Sequence, residues 1–245
     1  MSFSVMINDN EVPITSASDT ILMMGDHVPL IPKVLETYVP FKDWVTQMNK
    51  DPRWKINSIH FQSADAFGPK IGFLKWKSPG TFNGKTLPDI TFSRGNSVAI
   101  LPILRCNGKR WVVTVLQPRM PGADVKAEIP AGMMDGKGCF VGTAAKEMAE
   151  ETKILIKEDD LTPLGQGKLF CPSIGGCDER IRFFLFTKDV EQEYLDDLNG
   201  KHTGNIEENE SITVQLLDYD TLHEVTDDMK ATTAMLLLEK SGIKF

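Results

Sequence analysis

The hydrophobic pattern of the chain changes character near residue 97. From there apolar residues come in long runs of strand type, 97–104, 110–117, 181–188 and 212–219, and Asn107-Gly108 between the first two is a two-residue hairpin signal. A helix predicted over residues 227–241 places Ala231, Ala234, Met235 and Leu238 on its buried side and stops at Gly242. Upstream the pattern is shorter and mixed. Residues 33–49 carry Val34, Leu35, Tyr38, Phe41, Trp44, Val45 and Met48 at approximately helical spacing, with a break expected near Pro40. Residues 71–77 and 90–94 read as strands flanking a turn-rich stretch, 78–88, and predict a small N-terminal sheet. Residues 1–30 are weakly patterned and are expected to form an extended arm. This order predicts an α/β fold: an α/β/α sandwich around a mixed sheet, preceded by a small N-terminal β domain, with residues 1–92 and 93–245 as the two parts.

Length and composition agree with that reading. A chain of 245 residues, 41% of them hydrophobic, buries a substantial core. The formal net charge of -7 provides no field that attracts nucleic acid or an anionic membrane, so an anionic substrate depends on local cations. Cys106, Cys139, Cys171 and Cys177 lack the paired spacing of a zinc site and are expected as reduced thiols. No apolar stretch is long enough to span a bilayer, and residues 1–27 have the make-up of neither a secretory signal nor a transit peptide, so the cytosol is the expected compartment.

The candidate chemistry lies in residues 132–154, where a glycine turn precedes a short helix bearing Glu147, Glu150 and Glu151. At positions i, i+3 and i+4 these carboxylates share one helical face, and Lys146 offsets only part of their charge. The opposite stripe, Ala144, Ala145, Met148 and Ala149, is small and apolar and allows close packing on a sheet. An isolated Glu-x-x-Glu-Glu is more often a solvated face, but a rigid carboxylate cluster suits a hard divalent cation completed by substrate phosphates. Two loops add candidates. Glu207-Glu208-Asn209-Glu210 precedes the strand at 212 and offers a base or an additional metal ligand, beside the plainer reading of solvated acid. Gly175-Gly176-Cys177-Asp178-Glu179-Arg180 is as readily a strand-connecting turn as a ligand loop. Arg119, forked and set in acidic surroundings, is the best phosphate clamp.

The 132–154 stretch resembles the Nudix box: Gly132, Glu147, Met148, Glu150, Glu151 and Ile154 fall in register, while Gly138, Lys146 and Lys153 stand where the family has glutamate, arginine and glycine. Further segments, among them Arg94-Gly95, Gln117-x-Arg119, Pro130-Ala131-Gly132, Gly175-Gly176-Cys-Asp-Glu179 and Glu207-Glu-Asn-Glu210, resemble the plant-type ADP-sugar diphosphatases and ADP-ribose pyrophosphatases. The resemblance implies a Nudix sandwich, a homodimer with an exchanged N-terminal domain, and Mg2+-dependent hydrolysis, with Mn2+ as a substitute, of an ADP-sugar to AMP and a sugar phosphate. It further implies metal binding by Glu147, Glu151, the Ala131 carbonyl and Glu210. Glu208 is then the base, with Glu150 as the candidate if the base lies inside the box, and Arg119, Glu179 and Arg94 contact the substrate.

The alternatives are another nucleotide substrate, such as UDP-glucose, a dinucleoside polyphosphate or coenzyme A, and a binding protein without useful turnover, consistent with the three departures. Trp44, Trp54, Trp76 and Trp111 are expected in the core, with Trp76 the one candidate for stacking on a base.

Overall fold

The computed structural model describes residues 2–134, 139–204 and 211–243. The chain divides into two compact units, Met1–Asn96 with Ser173–Glu179, and Ser97–Pro172 with Arg180–Phe245.

In the first unit the expected arm is instead regular structure. Strands β1 (Phe3–Ile7) and β2 (Asn10–Ser16) form a hairpin, and β3 (Thr20–Met23) and β4 (Asp26–Pro29) form another. Ile7, Val12, Ile14, Ile21 and Met23 are buried from alternate positions, so each apolar signal is only two or three residues long. The turn chemistry was the available clue: Asn8 and Asp9 both take positive φ, 47° and 63°, as a two-residue hairpin requires. Helices α1 (Leu30–Thr37) and α2 (Val39–Met48) follow, with the break at Tyr38 and Pro40 in the first turn of α2, where its missing N–H is tolerated.

Strands β5 (Trp54–Ile56), β6 (Ile59–Phe67), β7 (Lys70–Lys77), β8 (Gly80–Phe82), β9 (Lys85–Thr86) and β10 (Ile90–Ser93) complete the unit. The main sheet has the order β1-β2-β6-β7-β10, with β2 and β6 parallel and the other neighbours antiparallel. Phe41 of α2 meets Phe61 and Trp76 edge-on at 5.3 and 5.6 Å between ring centroids, and this aromatic cluster fastens the helix to the sheet.

The second unit is a mixed sheet covered on both faces. Its strands are β11 (Ser97–Cys106), β12 (Lys109–Arg119), β13 (Asp124–Glu128), β14 (Ala131–Met133), β15 (Thr162–Pro163), β16 (Leu169–Phe170), β17 (Ile181–Asp189), β18 (His202–Thr203) and β19 (Ile212–Asp218). Its helices are α3 (Phe140–Glu147), α4 (Gln192–Leu198), α5 (Leu222–Val225) and α6 (Met229–Ser241). The order is β15-β17-β11-β12-β19-β18, with β13 on β12, β14 on β11 and β16 on β17. Only β11 and β17 run parallel among these pairs.

Ala99, Leu101 and Ile103 pack with Ala231, Ala234, Met235 and Leu238 of α6. Val98, Ile100 and Leu104 face the other way, toward Ala144 of α3 and Leu195 and Leu198 of α4. Burial on both faces explains the unbroken apolar run of β11. The outcome is the expected α/β/α sandwich. Along one edge β11 bonds β12 through residues 103–106 and the short β14 through residues 97–99, and this second pairing brings residues 131–133 beside α3.

Candidate functional site

Helix α3 begins at Cys139, whose Sγ accepts the Gly142 N–H at 3.3 Å, and buries Ala144 in the sandwich core. It does not continue as an α-helix through the acidic residues. Met148–Thr152 forms a single π-helical turn, in which the buried Thr152 hydroxyl donates to the Met148 carbonyl at 2.5 Å. Lys153 closes the turn in the left-handed region, at φ 60° and ψ 16°. A π turn widens the residue spacing, so Glu147, Glu150 and Glu151 do not all stack in one row.

Glu147 and Glu151 converge on β14. The Glu151 side chain accepts the Ala131 N–H at 3.1 Å, and the residue is only 3% exposed. The Glu147 carboxylate lies against Gly132 so closely that a Cβ there would fall 1.9 Å from it, so any side chain at this position displaces that carboxylate. Glu150 instead pairs with Lys146 at 3.3 Å. The turn is anchored from β18 and the residue after it: the Thr203 hydroxyl donates to the Glu151 carbonyl, and the Gly204 N–H donates to the Glu150 carbonyl at 3.2 Å. Among the described residues no group of three acidic, histidine or cysteine side chains is gathered closely enough to hold a metal ion. Gly138, Glu208 and Glu210 lie outside the described residues.

At the end of β12, Arg119 is engaged within the protein. Its Nε and Nη2 donate to Glu128 of β13 at 2.6 and 3.1 Å. Lys230 of α6 reaches the same carboxylate at 2.9 Å and Asp228 at 3.0 Å, while Asp228 caps α6 through the Lys230 N–H and accepts the Ile129 N–H. Burial alone raises the Glu128 carboxyl, but the Arg119 hydrogen bond and the Lys230 charge outweigh it and hold the group below its ordinary value. Burial likewise opposes the charge of Lys230, yet the Asp228 and Glu128 carboxylates keep its ammonium above the usual range. Glu128 and Asp228 were not singled out in the sequence, because an acidic residue near a strand end has a solvated default.

In the first unit, Arg94 and Glu179 come together at 3.5 Å, and the Arg94 guanidinium lies 5.7 Å from the Phe73 ring centroid. Trp76 is not available to stack on a base. It is fully buried between Phe41 and Trp44, and the half-buried aromatic on the same strand is Phe73.

Two outcomes follow from this geometry. Lys153→Gly removes the cost of a Cβ in the left-handed region, about 1 kcal/mol, and gives up an exposed Nζ contact to the Glu150 carbonyl. Thermal unfolding is expected to show a Tm higher by roughly 1–4 °C; a lower Tm means the lysine contact dominates. Glu128→Gln weakens the pairs to Arg119 and Lys230, and calorimetry at neutral pH is expected to show a loss of about 2 kcal/mol. Because the folded carboxyl titrates below its unfolded value, this stabilisation is complete above about pH 4.3 and is lost as pH falls through the folded value. The gap between wild type and Glu128→Gln therefore narrows as the pH falls below about 4.3, and a gap that shows no pH dependence in acid refutes the pairing.

Comparison with known proteins places these elements. The NUDIX domain family model matches residues 93–235. Nudix hydrolase 14, chloroplastic, from Arabidopsis thaliana is 36% identical over 214 residues, which span 81% of this chain and 69% of the relative. A solved structure described as an ADP compounds hydrolase superposes with a TM-score of 0.53 over 77% of this chain and 93% of its own, and at 13% identity the likeness is one of fold. No helix among the described residues is long and apolar enough to cross a membrane. Nudix hydrolases use divalent cations, and the donor set fits one: two carboxylates converge on β14, held in place by Gly132 and the Ala131 N–H, and hard cations take oxygen ligands completed by water and substrate phosphate. With the family match spanning more than half of its length and that identity shared over four-fifths of it, the chain belongs to the Nudix hydrolases.

Proposed function

We propose that this chain hydrolyses the diphosphate bond of an ADP-sugar, ADP-ribose or ADP-glucose, giving AMP and a sugar phosphate with Mg2+ or Mn2+ bound. The observation that carries the reading is the convergence of Glu147 and Glu151 on Ala131-Gly132, which supplies hard oxygen donors on a rigid frame. The described fold relative acts, by its description, on ADP compounds, and the residues that resemble the ADP-sugar branch support the same substrate class.

Glu147, Glu151 and the Ala131 carbonyl hold the cation in this reading, with Glu210 as a further ligand. A bound divalent cation neutralises the diphosphate and acidifies a water molecule. Arg119 binds the diphosphate, its plane set by the two bonds to Glu128, while Arg94 and Glu179 contact the rest of the substrate. Glu208 takes the proton from water, with Glu150 as the second candidate. The cytosol is the proposed compartment, and the Arabidopsis relative is named chloroplastic.

One observation favours a second reading, a Nudix protein that binds a nucleotide sugar without useful turnover: Glu150, the candidate base inside the box, is tied to Lys146. AMP release separates the two. Purified protein is expected to release AMP from ADP-ribose or ADP-glucose with Mg2+ or Mn2+ and to stop on chelation; tight binding with no AMP from either cation selects the binding protein. Glu151→Gln keeps an acceptor for the Ala131 N–H but loses the charge, so kcat is expected to fall at least about a hundredfold while the cation-free Tm holds.

The reading includes a homodimer with an exchanged N-terminal region. Phe67 and Phe92 of the first unit are exposed at 61% and 40% and both make ring contact with Phe73, an apolar cluster that suits an interface. Light scattering is expected to give twice the chain mass, and a fully active monomer refutes the exchange.

A further inference from the structure

The loop 173–179 belongs to the same compact unit as residues up to Asn96, although strands of the other unit precede and follow it in sequence. Its first part closes on itself, since the Gly176 and Cys177 N–H groups both donate to the Ser173 carbonyl, at 2.9 and 3.0 Å. Its last part is fastened by one side chain, Asp178. The Asp178 Oδ1 accepts two successive backbone N–H groups, Arg94 at 2.9 Å and Gly95 at 3.2 Å, and Oδ2 accepts the Ser93 hydroxyl at 2.5 Å. The Asp178 N–H donates to the Phe92 carbonyl at 3.3 Å, so the residue grips the end of β10 from both backbone and side chain.

The receiving side is built for this grip. Gly95 has φ +86°, and a Cβ there would also lie 2.7 Å from Pro40, so only glycine turns the backbone to present two N–H groups to one oxygen. Ser93 is fully buried and shares a 3.0 Å hydrogen bond with the Tyr38 hydroxyl. The chain Tyr38–Ser93–Asp178 thus runs from the start of α2 to the loop. A carboxylate bonded by a hydroxyl and two amides is a strong fixed point. Arg94 and Glu179 are the immediate neighbours of this fixed point, one on each segment, and they form the 3.5 Å pair already described.

We infer that Asp178 is a positioning residue that sets the Arg94–Glu179 pair for substrate by locking residues 93–95 to the 173–179 loop. This role rests on the proposed function, in which Arg94 and Glu179 contact the nucleotide sugar. Asp178 touches neither substrate nor cation. It removes the freedom of two backbone segments, so that a donor and an acceptor are presented together before substrate arrives. An effect on binding rather than on the chemical step follows.

The test is steady-state kinetics of the full-length protein on ADP-ribose and ADP-glucose with Mg2+, comparing wild type, D178A and D178N. In D178A the Arg94 and Gly95 N–H groups lose their acceptor, and KM is expected to rise about tenfold or more with kcat within about twofold. In D178N the amide oxygen still accepts both N–H groups, and Ser93 changes from donor to acceptor at the cost of one hydroxyl partner, so KM is expected within about threefold of wild type. Should D178A fail to fold, S93A, which removes only the hydroxyl donor, is read in its place and is expected to raise KM about threefold. A wild-type enzyme that turns over while D178A, or S93A in its stead, keeps the wild-type KM overturns this role alone. So does a loss of kcat equal in D178A and D178N, which marks a merely structural residue. A wild type that releases no AMP from either substrate overturns the proposed function and this role with it.

Discussion

Two like charges held against one three-residue strand are the constraint around which the second unit is arranged. Glu147 and Glu151 both reach β14, and nothing in their mutual repulsion favours that placement. It is enforced by covalent and packing geometry: β14 is paired to β11 in the centre of the sheet, Ala144 and Met148 are buried in the core beneath the helix, and Gly132 leaves room for a carboxylate where a side chain would stand. Repulsion between two carboxylates held in this way is relieved by a cation, which is the electrostatic argument behind the proposed divalent-ion site.

The π turn is the local device that makes the convergence possible. A regular α-helix would present Glu147, Glu150 and Glu151 as one row. The wider turn at 148–152 sends Glu150 to Lys146 and leaves the other two on β14, with Thr152, Thr203 and Gly204 occupying the backbone groups that the turn exposes. Its closing residue, Lys153, occupies a left-handed conformation in which the related box carries glycine, so the departure from the box pattern falls at the position where glycine has a conformational reason to be. The departure is thus a matter of backbone cost, and Glu147 and Glu151 still reach β14.

Both units use wholly or partly buried acids as struts rather than as reagents. Glu128 and Asp228 tie β13, α6 and Arg119 together, and Asp178 ties the end of β10 to the inserted loop. In each case a carboxylate accepts from backbone N–H groups or from two cations at once, which fixes direction as well as distance. A site assembled from several short strands and loops depends on struts of this kind, because the loops carry little packing of their own.

Periodicity was sufficient to show the sandwich strands from residue 97, the helix pair around residue 38 and the last helix, because each buries a continuous or helically spaced apolar face large enough to stand out along the chain. The box residues were legible for a different reason, since Gly132 and the glutamates recur at fixed spacing whatever surrounds them. The strands before residue 30 were not legible as such: each contributes two or three alternating apolar residues, a signal that exists only once hairpin partners and β6 complete the sheet. Trp76 illustrates the same limit, since an aromatic on a strand faces core or solvent according to the register with its neighbours, and the neighbours are distant in sequence. Which glutamates face β14, which acid holds Arg119 and which holds Arg94 were decided by tertiary structure alone. Spacing along a helix assigns a face, but a π turn, a salt bridge and a loop folded into another unit are interactions between residues 4, 9 and about 84 positions apart, and no local pattern encodes their outcome.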